Sequence, residues 1–292
     1  QWIKPSRENE IAFYGGSFTG LPWELQKRLL TLADSYVELG TIGSVRLSTR
    51  PDYIDDGIVE LLKQHHVTLV ELGVQSLDNN VLLMAERGHL AADVGKAVAC
   101  LKAQNVGVGI QLMVGLPKQD WRSLADTVKK VVAFNPEIAR IYPLLVIKDT
   151  PLEKMYQNKE FTPLSLSAAV AQAAYVYEHL TSNGIKVIRI GLQADEELCK
   201  ENNIVAGPFH PSFWEKVKSF QYRFWVAKQL EELDSNIPEI AISYNPRIAS
   251  QLKGIKKCNE TFWQRIIGKP GIQLLAEDSL HEAAFKLNRP AE

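Results

Sequence analysis

Residues 10–20 read EIAFYGGSFTG. Ile11 to Tyr14 reads as a short strand that runs straight into Gly15–Gly16–Ser17. Two adjacent glycines at the C-terminal end of a strand leave no side chain in the way. A ligand can then lie against bare backbone N–H and C=O groups. Pro22 suits the first turn of the helix that follows. Taken alone, the stretch reads first as a tight strand-to-helix turn with no ligand. The ligand-bearing reading gains because the chain repeats this strand–loop–helix plan, with polar residues at the same end of each strand.

Working outward, residues 22–39 carry a 3.6-residue apolar stripe (Leu25, Leu29, Leu32, Ala33, Tyr36) and predict an amphipathic helix ending at Gly40. Further strands are predicted over 44–48, 69–74, 107–114, 138–146 and 186–191. Helices are predicted between them over 55–66, 79–86, 90–103, 121–134 and 166–182. Alternation of strands and helices over residues 11–191 predicts a parallel sheet of right-handed βαβ units. An even cadence with no GxGxxG points to a partial (β/α)6 barrel rather than a dinucleotide fold. Residues 213–233 predict an aromatic-rich helix. Residues 239–275 read strand, helix, loop, helix, strand: a small α+β C-terminal domain over 213–292. Residues 1–9 read as a disordered lead-in, and 10–212 as the barrel.

The 292 residues are 46% hydrophobic and 23% charged, with a net charge of −1. No global basic field points to nucleic acid. No run of about 18 apolar residues predicts a membrane span. Cys100, Cys199 and Cys258 have no CxxC-type spacing, so neither zinc nor a disulfide framework is suggested. Free thiols fit a cytoplasmic protein. HExxH, GxSxG and P-loop motifs are absent.

The strand ends carry the chemistry. Strand one ends in Gly15–Gly16–Ser17, and strand two in Ser48–Thr49–Arg50–Pro51–Asp52. Strand three carries Glu71 and ends at Gln75–Ser76. Strand four carries Gln111, strand five Arg140 and Tyr142, and strand six Arg189 with Gln193 beyond it. In a parallel barrel these converge on one mouth. Buried polar groups are costly unless paired, so the set predicts a polar ligand with several hydrogen-bonding edges. A self-satisfied Arg–Glu network accounts for one or two of these residues, not for all. Of the histidines, His89 and His210 lie in loops of interest.

In order along the chain, FYGGSFTG (13–20), RLSTRPDYID (46–55), VELGVQSLDNNVLLMAERGH (70–89), IQLMVGLP (110–117), RIYPLLVIKDTPLEKMY (140–156) and RIGLQAD with AGPFHPSF (189–195, 206–213) resemble the radical S-adenosylmethionine (SAM) superfamily. The similar branch includes the elongator catalytic subunit and oxygen-independent coproporphyrinogen III oxidase-like proteins; the AGPFHPSF tail looks like an uncharacterised bacterial group. The resemblance implies an oxidoreductase that holds SAM on a 4Fe–4S cluster and makes a 5′-deoxyadenosyl radical, which abstracts hydrogen from a substrate. It places Gly15, Gly16 and Ser17 at the methionine amine, and Ser48 and Gln75 near the ribose or carboxylate. Arg87 would pair with the carboxylate, for which the arginine fork is suited. Gln111 would address the ribose and the Tyr142–Pro143 backbone the adenine. Glu71, Arg189, Gln193 and His210 are candidates for substrate contact.

The family's CxxxCxxC is absent from these residues, and none of the three cysteines can replace it. Three thiolates hold three irons and SAM takes the fourth, so this polypeptide as given is expected not to perform radical chemistry. A fragment lacking its first βα unit and a relative that has lost its cluster are both open. Two other readings stand beside the enzyme: a cluster-free RNA-binding or regulatory module, and a SAM-binding or methyl-transfer protein. Gly254–Ile255–Lys256–Lys257 between two helices resembles the GxxG loop of a KH-type RNA-binding module, with Lys257 where that pattern has glycine. A small structural cap with a solvated lysine cluster (Lys253, Lys256, Lys257) is the reading that takes precedence. The partner is thus a small molecule or RNA, tRNA among the candidates.

Overall fold

Six parallel strands form the curled sheet that the cadence predicts. A computed structural model describes residues 4–192, 203–232, 240–267, 271–281 and 284–288. In chain order the first part contains β1 (Glu10–Phe13), α1 (Trp23–Glu38), β2 (Ser44–Thr49), α2 (Asp56–Gln64), β3 (Val67–Gln75), α3 (Asn79–Met84), α4 (Ala91–Ala103), β4 (Gly107–Val114), α5 (Trp121–Phe134) and β5 (Ile138–Pro143). Then come β6 (Val146–Ile147), α6 (Pro151–Gln157), α7 (Leu166–Ser182), β7 (Lys186–Ile190) and β8 (Ile204–Ala206). The sheet order is β1-β2-β3-β4-β5-β7, every neighbouring pair parallel. This is a partial (β/α) barrel.

The two faces of the sheet follow from the period of two. On β2, Val45, Leu47 and Thr49 are buried, while Ser44, Arg46 and Ser48 between them are half-buried on the other face. The apolar face meets Leu30, Leu62, Leu124 and Val176 from the helices in one continuous core. Helix starts are set by side-chain caps: Asp55 accepts from Ile58 N, Asp120 from Ser123 N and Ser165 from Ala168 N.

Strand five ends at Pro143, short of the predicted Val146; proline has no N–H to offer, and one last bond to β4 follows it, from Leu144 N to Val114 O at 3.0 Å. The chain then turns, and β6 pairs antiparallel with β8, a pairing the sequence reading did not anticipate. It also missed α6, although Thr150–Pro151–Leu152–Glu153 is a helix-start signal: Thr150 Oγ1 accepts from Glu153 N at 3.3 Å. Residues 4–9, read as a disordered lead-in, are hydrogen-bonded to the loop before β2. Ser6 N donates to Thr41 O at 3.2 Å and Gly43 N to Asn9 O at 2.9 Å.

The second part contains α8 (Phe213–Glu231), β9 (Ile240–Tyr244), α9 (Ala249–Lys253), α10 (Cys258–Ile267), β10 (Ile272–Ala276) and β11 (Phe285–Asn288). Its sheet runs β10-β9-β11, with β10 parallel and β11 antiparallel to β9. The predicted strand–helix–loop–helix–strand order is present, and β11 is an addition. Helix α8 serves both cores: Phe213 and Val217 pack into the barrel, Tyr222, Val226 and Leu230 into the small domain.

Gly191 makes the join between β7 and α8. Its φ is +86°, and a Cβ there would stand 2.9 Å from Phe213 Cβ. Gly191→Ala combines left-handed strain with overpacking and is expected to destabilise the fold by about 1–3 kcal/mol. Urea denaturation measures this; an unchanged midpoint would mean that the turn is free to relax.

Candidate functional site at the strand ends

The glycine pair opens the site. Gly15 and Gly16 are exposed, Gly15 has φ +102°, and a Cβ at either would meet nothing within 4 Å. Their backbone is therefore accessible from the mouth. Ser17 precedes a 3-10 turn and its hydroxyl caps nothing. The loop is anchored from below, where the buried hydroxyls of Thr19 and Thr49 lie 2.6 Å apart. Gln26 adds to this by donating to Thr19 O and Leu21 O.

Next to it stands a second cradle, formed by the end of β3. Gly73 has no side chain, and a Cβ there would lie 3.2 Å from Gln75 Nε2, 3.6 Å from Arg87 Nη2 and 3.6 Å from Thr49 O. An amide, a guanidinium and a carbonyl thus converge on one small space. Gln75 has φ +64°, a left-handed backbone that is uncommon outside glycine. Gln75 Oε1 and Arg87 Nε are buried without a hydrogen-bond partner. Burial, and then the neighbouring Arg50 cation, lower the Arg87 pKa. Arg50 is itself held by both oxygens of Asp52 (3.0 and 2.7 Å) and donates to Gly88 O. Buried polar groups left open in this way are rare in folded proteins, and a polar ligand or an ordered water can complete the set.

His89, singled out from its loop, is 4% exposed; its Nε2 lies 3.3 Å from Val74 O. That contact ties its loop to the end of β3, and its Nδ1 is buried with no partner. Burial lowers its pKa.

One layer deeper, the inner face carries an ionic network. Glu71, 1% exposed, accepts from Arg140 Nε at 2.6 Å and Nη2 at 3.1 Å, from Tyr14 Oη at 2.5 Å and from Gln111 Nε2 at 3.1 Å. Arg140 Nη2 also donates to Tyr14 Oη at 2.7 Å. Burial alone would raise the Glu71 carboxyl, but the donors from Arg140, Tyr14 and Gln111 outweigh it and hold it low. Burial and the Glu71 bond push the Tyr14 hydroxyl up to about 12. Glu71 and Arg140 are thus the self-satisfied pair that the sequence reading allowed for. Gln111, assigned to the ribose, has its amide nitrogen committed to Glu71.

The other candidates spread around the rim. Ser48 is half-buried on the inner face of β2. Tyr142 is half-buried and Pro143 buried at the end of β5. Arg189 is in register with Arg140 across β5 and β7. His210 Nδ1 accepts from Ser212 N at 3.0 Å just before α8, a local turn bond. Gln193 lies outside the described residues, as does Cys199. Two inner-face residues were missed, Tyr14 and Arg46. The period of two could have found them, since Arg46 stands two before Ser48, and Tyr14 two after Ala12.

The cysteines sit elsewhere. Cys100, on α4, donates its thiol to Asp56 Oδ1 at 3.1 Å, and burial followed by that bond raises its pKa to about 11. Cys258 opens α10 beside Arg223. Among the described residues, no group of three or more His, Cys, Asp or Glu is arranged to hold a metal ion. Gly254, the first residue of the lysine loop, is explained by packing: a Cβ there would stand 2.6 Å from Cys258 Sγ. No helix among the described residues is long and apolar enough to cross a membrane.

Comparison with known proteins places this geometry. The Radical SAM superfamily profile matches residues 2–131, and the Radical_SAM C-terminal domain profile matches residues 136–223. An uncharacterised Methanocaldococcus jannaschii protein is 31% identical over 192 residues, 61% of this chain and 59% of that one. The tRNA uridine(34) acetyltransferase of the same organism is 30% identical over 191 residues, 59% of this chain and 35% of that one. The archaeal Elp3 of Methanocaldococcus infernus, with its N-terminal residues 1–46 deleted, superposes with a TM-score of 0.67 at 27% identity, covering 76% of this chain and 55% of that one. The chain therefore spans about a third to three-fifths of the length of these relatives.

Proposed function

Because this chain belongs to the radical SAM superfamily, we propose that its strand-end mouth binds S-adenosylmethionine. The observation that carries this is the Gly73 cradle, where Gln75, Arg87 and Thr49 converge with buried valences left open. The exposed Gly15–Gly16 backbone and the free Ser17 hydroxyl take the amine of the methionine moiety. Arg87 takes its carboxylate, as a desolvated guanidinium fork is suited to do. Ser48 and Gln75 face the ribose or carboxylate side, the open amide oxygen of Gln111 the ribose, and the Tyr142–Pro143 backbone the adenine. Among substrate contacts, Arg189 and His210 at the rim remain part of this reading, and Gln193 lies outside the described residues.

The cluster is a different matter. Cys100, Cys199 and Cys258 do not fit a 4Fe–4S site: their spacing is wrong, and Cys100 is engaged with Asp56 on an outer helix. In this superfamily SAM bound beside a 4Fe–4S cluster supplies hydrogen-abstracting chemistry; in a polypeptide that also brings three cluster cysteines, the residues above would hold the SAM. The tRNA-modifying relatives support RNA as the substrate class; a cluster-free RNA- or SAM-binding module is the alternative.

Titration calorimetry with S-adenosylhomocysteine tests the site without any cluster. Wild type is expected to bind, and Arg87→Met to bind about 10- to 100-fold more weakly, the range for losing a charge-assisted contact. Equal affinity in the two proteins, or none in wild type, would remove this assignment.

A further inference from the structure

Glu71 has no capacity left. A carboxylate offers about four lone-pair sites, and Tyr14, Gln111 and two nitrogens of Arg140 occupy four. Arg46 faces the same space from β2, where it makes two loose ion pairs but no hydrogen bond. Its Nη1 stands 3.9 Å from Glu71 Oε1, and its Nε 3.5 Å from Glu10 Oε2. Neither contact is a hydrogen bond, and Arg46 Nε is buried with no partner. The side chain as a whole is 24% exposed, so water reaches the outer nitrogens more readily than the buried Nε. It is held in place over the Tyr14 ring at 5.9 Å, with Arg140 over the same ring at 5.1 Å.

An arginine that is desolvated, positioned and short of acceptors is a recognition element for an anion. Its location fits a substrate. Arg46 is two residues before Ser48, and Tyr14 immediately precedes Gly15, so the guanidinium lies one layer inside the proposed SAM cradle. Glu10, the nearest carboxylate with spare capacity, is at the sheet edge and 40% exposed, and pairs with Arg46 at 3.5 Å without forming a hydrogen bond. We propose that Arg46 docks an anionic group of the substrate, a carboxylate or a phosphate, inside the barrel mouth. This rests on the SAM reading for its meaning as a substrate site, but not for the binding itself.

The test follows the arginine Nε–H resonances of 15N-labelled protein during titration with succinate, inorganic phosphate and, as a neutral control, succinamide. Arg46 is assigned by its loss in Arg46→Lys. One of the two anions is expected to shift the Arg46 signal saturably, which identifies the preferred head group, and succinamide is expected to leave it in place. By heat of binding, Arg46→Gln should lose about 10-fold or more in anion affinity. Arg46→Lys, which keeps the charge without the fork, should lose less. Matching near-ultraviolet circular dichroism establishes that the variants are folded. Anion binding that is equal in wild type and Arg46→Gln overturns the proposal, as does its absence from wild type saturated with S-adenosylhomocysteine. If S-adenosylhomocysteine fails to bind while Arg46-dependent anion binding persists, the SAM reading falls and the anion site stands.

Discussion

Glu71→Ala is expected to destabilise the barrel by about 3–5 kcal/mol, the cost of leaving a buried cation without its counter-ion. The carboxylate is 1% exposed and Arg140 is 8% exposed, so solvent cannot take over. The loss should not read as the worth of the ion pair. Removing both charges in Glu71→Leu/Arg140→Leu should recover much of it, because the desolvation of Arg140 disappears along with its partner. Urea denaturation of Glu71→Leu, Arg140→Leu and the double variant closes the cycle. Additive losses would mean that the two groups do not depend on each other, and the network described above would be wrong. The same residue predicts a pH effect. The folded-state pKa of Glu71 is lowered, so its contribution is present above the pKa of the unfolded carboxyl. It is lost as pH falls through the lower folded value. Glu71→Gln should flatten that acid limb of the stability profile.

A comparable loss is expected in the C-terminal domain from Asn259→Leu. Asn259 is fully buried at the start of α10. Its Nδ2 donates to Leu252 O at 2.8 Å, in the last turn of α9, and to Ser219 O at 2.9 Å on α8. Its Oδ1 accepts from Arg223 Nε at 2.8 Å. One amide therefore satisfies the end of one helix and ties it to two others. Leucine matches the volume but leaves these carbonyls and the guanidinium unpaired, at about 1–3 kcal/mol for each group that water cannot reach. The expected total is about 3 kcal/mol or more. Hydrogen exchange should locate it: the amide of Ile242 on β9, in the core of this domain, should lose protection while Leu72 in the barrel keeps it. Equal loss in both would indicate that the two cores open as one unit, which α8, shared between them, makes physically reasonable to test.

Much of this molecule was legible in the amino-acid sequence. The βα cadence follows from local periodicity, which needs no knowledge of partners. The Gly15–Gly16 pair at a strand end announced an exposed backbone, and the polar residues at 48, 75 and 111 could be assigned to one mouth because parallel strands align their C-terminal ends. Helix α6 was also legible, in the Thr150–Pro151–Leu152–Glu153 signal. What the sequence could not supply was pairing. Tyr14 and Arg140 stand 126 residues apart, and Glu71 and Arg140 stand 69 apart. Which of the inner-face charges neutralise one another depends on strand register, and register is set by the whole sheet. The same holds for β6 with β8, for β11, and for the glycine at 254, whose reason is a cysteine across a helix junction. Sequence alone determined which face each side chain would take; only the tertiary structure decided that Glu71 would be saturated by Arg140, Tyr14 and Gln111, leaving Arg46 beside it with a buried donor still open.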